Sequence, residues 1–135
     1  VAKSLLFERV GKTLVLVHNQ HPVDDAEWDA YLEEVRRGGI TGIVVWAPGA
    51  APNASQRTRA RTAIESLGGL VPSALFTESA LVRGVVRVFS IFWGDQLKMF
   101  APEDVDGAFK HAHVEPAQRD VVLGAISRLK AQLGG

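Results

Sequence analysis

The stretch from residue 71 to residue 100 constrains this chain more than any other. A short apolar strand over residues 71–77 runs into a helix opened by Ser79, and a second strand over residues 96–101 follows at once. The helix between them, residues 79–93, carries Leu81, Val82, Val85, Val86, Val88, Phe89, Ile91, Phe92 and Trp93. A helix on the surface of a globular domain keeps one apolar stripe. This one has little polar surface besides Ser79, Arg83, Arg87 and Ser90. It needs cover on more than one side, from a partner subunit, a ligand cleft or the rest of the fold, because a large bare apolar patch invites association.

The elements around it alternate. Residues 5–10 and 13–19 read as two strands joined at Gly11-Lys12, a joint short enough for an antiparallel hairpin. Leu14-Val15-Leu16-Val17 is a continuous apolar run, which suits a strand buried on both faces. A first helix starts near Asp24 or Asp25, where Asp24 and Glu27 have capping-box spacing. Trp28, Tyr31, Leu32 and Val35 fall on one helical face, and Gly38-Gly39 ends the helix. A strand over residues 40–46 and a small-residue loop follow. Asn53 and Gln56 repeat the capping spacing ahead of a narrow stripe, Ala60, Ala63, Ile64 and Leu67, which Gly68-Gly69 stops.

After the strand–helix–strand unit, Pro102 stands where a first helical residue belongs, with Val105, Ala108, Phe109 and Ala112 as its stripe. Pro116 opens a last helix with Val122, Ala125, Ile126, Leu129 and Leu133 on one face. This order predicts a single α/β domain over residues 1–135. Its sheet is mixed and mostly parallel, of about five strands with the N-terminal hairpin strand antiparallel, and four to five helices pack on it.

Composition narrows function by exclusion. Fifteen basic and fifteen acidic residues cancel, so bulk charge makes no case for nucleic acid or an anionic membrane. The absence of cysteine removes disulfides, thiolate catalysis and cysteine-ligated metals. No segment reads as a signal peptide, and Arg83 and Arg87 interrupt the most apolar helix, so no membrane span is expected. A cytoplasmic, soluble domain without cofactor is the expectation.

In sheets of this kind ligands gather at the carboxyl ends of the strands. Those ends lead into the loops 19–24, 47–53, 77–79 and 101–102. His18, His21, Asp24 and Asp25 lie close in sequence, but a metal site needs two imidazoles and a carboxylate converging on one ion, and a solvated loop with a helix cap is the preferred reading. His111 and His113 end a helix, where a cation complements the dipole. The loop before Asn53 opens a helix whose N–H groups suit an anion, with Arg57 and Arg61 adding charge, yet neither a P-loop nor a GxGxxG fingerprint is present. Ser79 lacks a GxSxG elbow and is most simply an N-cap. Arg83 and Arg87 share a helical face and suit a carboxylate or phosphate of a partner. Phe89, Ile91, Phe92 and Trp93 suit an interface or the wall of an apolar cleft.

The strand–loop–helix at residues 40–67 and the run ALVRGVVRVFSIFWGDQLKMFAPEDVDGAF, from Ala80 to Phe109, resemble the STAS-like superfamily, in the bacterial branch related to the anti-anti-sigma factor of sporulation. The resemblance covers residues 5–112 and leaves the helix at 116–133 as an addition to the minimal fold. It implies a non-enzymatic module that binds other proteins in signalling or partner switching. In regulated members a kinase phosphorylates a Ser or Thr at the start of the helix after the third strand, usually within an Asp-Ser pair. This chain has Asn53-Ala54-Ser55 there, so Ser55 is the candidate by position and the preceding acid is absent. The branch borders in fold on the CRAL-TRIO lipid carriers, which implies an apolar ligand as the alternative.

The expected interface is therefore Arg83, Val86, Arg87, Phe89, Ser90, Phe92 and Trp93, in a homodimer or with another protein, and the helix at 116–133 is a candidate cover for it. The alternative is a carrier or sensor of a small apolar ligand or lipid in a cleft beside residues 79–93. No catalytic residue and no metal ligand is expected.

Overall fold

The structure, a computed structural model, describes residues 3–68, 71–93 and 96–134, with 89–93 described by backbone alone. Along the chain it places β1 (Leu5–Val10), β2 (Thr13–His18), α1 (Asp25–Arg36), β3 (Gly42–Trp46), α2 (Ala54–Glu65), β4 (Ser73–Phe76), α3 (Ala80–Trp93), β5 (Leu97–Phe100), α4 (Val105–His111) and α5 (Arg119–Leu133). The strands form one sheet in chain order, β1-β2-β3-β4-β5. β1 pairs antiparallel with β2, and β2 through β5 are parallel. The expected α/β class, mixed sheet and antiparallel first strand are what the structure has.

That order decides where the helices go. Each crossover between parallel strands is right-handed. A sheet that grows in one direction therefore puts α1, α2 and α3 on the same face. The strands alternate to match: Leu14, Leu16, Ile43 and Val45 face these helices, and Val15, Val17, Val44 and Phe76 face the other way. The second face is covered by α4 and α5. After β5 the chain returns over the sheet, and α5 packs on β1 and β2. All six residues of β2 are buried, as a strand sandwiched between helical layers must be.

The helix boundaries follow side-chain chemistry. Asp24 accepts a hydrogen bond from the Glu27 N–H at 3.0 Å and caps α1. α1 buries Trp28, Tyr31, Leu32 and Val35, its predicted stripe. Asn53 and Gln56 form a complete capping box on α2. Gly38 ends the α1 turn at φ +70°. α4 departs from expectation. Pro102 lies in a turn, and the cap is Asp104, which accepts from the Gly107 N–H at 3.0 Å. Asp104 supplies the side-chain acceptor that a proline at the first helical position lacks. The last helix is also split: Pro116 heads a short 3-10 turn, Pro116–Gln118, and α5 begins at Arg119.

The expected cover of α3 by the 116–133 helix is corrected by the layering. α5 presents Val122, Ala125, Ile126 and Leu129 to Val10, Val15 and Val17. It lies across the sheet from Val82 and Val86, the described inward side chains of α3. Arg128 pairs with Glu8 of β1, and Lys130 Nζ lies 3.7 Å from the Trp46 ring centroid. Both contacts hold α5 on the second face.

Gly42 opens β3 directly beneath the end of α4. A Cβ there would fall 1.7 Å from the Ala112 carbonyl oxygen, a backbone atom that cannot swing aside. Gly42→Ala therefore forces α4 off the sheet, and we expect a loss of about 2 kcal/mol or more in urea unfolding. Gly124 on α5 meets nothing within 4 Å of a built Cβ. Gly124→Ala should gain about 0.5–1 kcal/mol from helix propensity alone. The two opposite signs in one unfolding series check the placement of both helices.

Candidate functional site

Because β2 to β5 are parallel, their carboxyl ends and the loops that follow lie along one edge of the domain. Between the sheet and α1–α3 the packing leaves a partly open cavity of about 100 Å³. Leu16, His18, Trp28, Tyr31, Ala60, Val82 and Val86 contribute to its wall. Ala47, Ala50, Ala51 and Pro52, from the end of β3 and the loop after it, line it at the carboxyl edge. Protein interiors are otherwise packed like organic crystals.

His18 is the polar member of this wall that stands out. It ends β2, and the period of two puts it on the face of Leu14 and Leu16. Its side chain is buried and its Nδ1 has no hydrogen-bond partner. Burial alone pushes its pKa down to about 4, so the ring is neutral at neutral pH. The Trp28 ring lies 6.2 Å away, centroid to centroid. Trp28 is itself engaged: its Nε1 donates to the Gln56 carbonyl at 2.9 Å. Ser73 Oγ likewise donates to the Val71 carbonyl at 3.1 Å.

Gln56 holds the roof of the cavity in place. It is almost wholly buried, and its Nε2 donates to the Val23 carbonyl and to Asp25 Oδ1, both at 2.9 Å. Its Oε1 accepts from the Asn53 N–H at 2.9 Å. One side chain thus ties the start of α1 to the start of α2. Arg59 adds ion pairs to Asp25 and Asp29, each at 2.9 Å. The Gln56 hydrogen bond, then the Arg59 hydrogen bond, hold the Asp25 carboxyl below its usual range.

The other expected site residues are distributed differently. His21 is exposed, and no group of three His, Asp or Glu side chains suited to a metal forms among the described residues. Asn53 is used in its capping box, Arg57 Nη1 donates to the Pro52 carbonyl at 3.0 Å, and Arg61 Nε donates to Glu65 at 2.8 Å. These three therefore have partners within the chain. Ser55 is exposed in the first turn of α2, and its Oγ accepts from Arg59 Nη1 at 2.8 Å. Ser79 caps α3 through Oγ, which accepts from the Val82 N–H at 3.3 Å. Arg83 and Arg87 are exposed on α3, whereas Val86 faces the core with Val82. Val82 and Val86 are four apart, so one helical turn brings both to the sheet. The side chains of Phe89, Ser90, Phe92 and Trp93 lie outside the described residues.

Sequence reasoning placed His18 in the second strand but weighed it only as a metal ligand beside His21, not by the face it takes there. The alternation Leu14, Leu16, His18 was the available signal. Compared with known proteins, the chain matches no family model and no curated protein.

The buried imidazole makes stability depend on pH in a window of its own. Above about pH 6.5, His18 is neutral in the folded and unfolded chains alike and adds no slope. As pH falls from there toward 4, the unfolded chain takes up a proton that the buried ring refuses, and stability is lost. Unfolding at about pH 7.5 and about pH 4.5 should differ by on the order of 2 kcal/mol from this group. His18→Leu should flatten most of that difference, while the loss from protonating carboxylates below it persists in both proteins.

Proposed function

We propose that this chain is a non-enzymatic, STAS-like protein-interaction module that works in the cytoplasm and associates through the outer face of α3. One observation carries the reading. Among the described residues three large apolar side chains are exposed, and two of them, Leu81 at 63% and Val88 at 45%, belong to α3. They are seven residues apart, two turns along one line of the helix. Gly84 lies beside that line, with nothing within 4 Å of where its Cβ would be, so another backbone can approach closely. Arg83 and Arg87 flank the line and supply a polar rim of the sort interfaces have. A self-complementary apolar line with a charged border suits a two-fold contact between copies.

The resemblance to partner-switching proteins supports the same reading. Ser55 remains its candidate for modification. A phosphate there would stand in the first turn of α2, favoured by the helix dipole, and would compete with Asp25 and Asp29 for Arg59.

Light scattering over rising concentration tests the association. The wild-type chain should show a dimer mass. Leu81→Glu combined with Val88→Glu should give a monomer whose urea midpoint matches wild type, since exposed positions shift stability by no more than about 0.5 kcal/mol each. A wild-type chain that is monomeric throughout, or a double variant that stays dimeric, removes this reading.

A further inference from the structure

α2 is held in place differently from its neighbours. α1 commits Trp28, Tyr31, Leu32 and Val35 to the core, and α5 commits Val122, Ala125, Ile126 and Leu129. The buried apolar residues of α2 are Ala60, Ala63 and Ile64. Two of these offer a single methyl group, so α2 has the least apolar surface anchoring it among these three helices. Its remaining buried residue is polar, Gln56.

Hydrogen bonds and ion pairs supply the rest of the hold, and they gather at the N-terminal end of the helix. Gln56 donates to the Val23 carbonyl and to Asp25, its own carbonyl accepts from Trp28 Nε1, and Arg59 pairs with Asp25 and Asp29. Asp25 receives both α2 side chains, yet its own side chain is 72% exposed. Bonds of this kind are exchanged for bonds to water when two surfaces part, so each resists separation far less than its bare strength. At the other end of α2 the chain turns at Gly68, with φ +77° and nothing within 4 Å of where a Cβ would be. A left-handed glycine in open space leaves that end room to pivot. Beneath the helix lies the partly open cavity. Ala60 and Ile64 form part of its wall, and Ala50, Ala51 and Pro52 of the preceding loop form another part.

We infer that α2 is a lid on this cavity, a unit that lifts off α1 and the sheet while the rest of the fold stays closed, with Asp25 as its latch. Water takes up the polar groups that the opening frees, and the cavity widens at the carboxyl edge of the sheet. A lifted α2 also loses its helical order, because twelve residues do not hold a helix alone in water. Segments with few apolar anchors are the ones that open below the free energy of global unfolding. The device is independent of association through the outer face of α3 and of any modification at Ser55. A monomeric, unmodified chain opens in the same way.

The chain has no cysteine, so a single introduced thiol reports the opening. Ala63 is buried under α2, and Ala125 is buried under α5. In Ala63→Cys and Ala125→Cys chains, reaction with dithionitrobenzoate, a reagent too large for a cavity of about 100 Å³, measures how often each site is uncovered. The thiol at position 63 should react at least about a hundredfold faster than the thiol at position 125. Asp25→Ala should speed the reaction at position 63 about tenfold, the equivalent of one charge-assisted hydrogen bond. Amide exchange of the unaltered chain gives the same comparison without a substitution in the core. The amides of Ala60, Ala63 and Ile64 should exchange together, about a hundredfold faster relative to their intrinsic rates than those of Val15 and Val44. Equal rates at positions 63 and 125, α2 amides that exchange only in step with β2 and β3, or a rate at position 63 that Asp25→Ala leaves unchanged would each overturn the inference.

Discussion

β2 is buried on both faces along its whole length, and the rest of the architecture follows from that. Leu14 and Leu16 need cover on one side, Val15 and Val17 on the other. Three right-handed crossovers in one direction supply helices to a single face only. The second face is left open until the chain has finished its sheet. The C-terminal part of the chain, α4 and α5, is what closes it. α5 therefore belongs to the core of this protein: without Val122, Ala125, Ile126 and Leu129, the apolar residues of β1, β2 and β3 on that side would face water.

Much of this was legible because local chemistry and global packing agree. Asp24 with Glu27 and Asn53 with Gln56 mark helix starts by a hydrogen-bonding pattern that needs no tertiary partner. The stripes of α1 and α5 are set by helical period alone. One reading went astray where two residues offered the same service. Pro102 is compatible with a helix start, but Asp104 has the acceptor that the Gly107 N–H needs, and it caps the helix two residues later. The position of α5 was not legible at all. An amphipathic helix specifies that one side is buried, but not against which face of a sheet. That choice depends on which face the crossovers leave empty.

α3 shows the same limit from another direction. Its composition predicts that more than one side needs cover. Within the described residues its sides divide clearly: Val82 and Val86 face the sheet, while Leu81, Arg83, Gly84, Arg87 and Val88 face outward. Arg83 and Arg87 were legible as outward-facing because charge leaves little choice. Val86 was grouped with them from overall apolarity, whereas its spacing from Val82 places it inward. The candidate cavity residue, His18, escaped for a related reason. Read beside His21 it raises only the question of a metal ligand at a strand end. Read two residues beyond Leu16 it falls on the core face of a buried strand.

The location of the cavity has a cause in side-chain size. On the second face the space over β3 and β4 is filled by Trp46, Phe76 and Phe109, with ring centroids 6.0 Å and 6.3 Å apart along the series. On the first face the aromatic bulk belongs to α1, where Trp28 and Tyr31 pack 5.4 Å apart over β1 and β2. α2 brings only Ala60, Ala63 and Ile64 to that layer, and the described part of α3 brings Val82 and Val86. Alanine and valine are too short to meet Ile43, Val45 and Leu75 across the full depth of a helix–sheet interface. The deficit in volume falls beside the one strand end where a histidine replaces the next aliphatic residue of the alternation. A leucine at position 18 would have continued the pattern, satisfied the core and left no orphaned nitrogen. The buried, unpartnered imidazole is instead a cost that the folded chain carries.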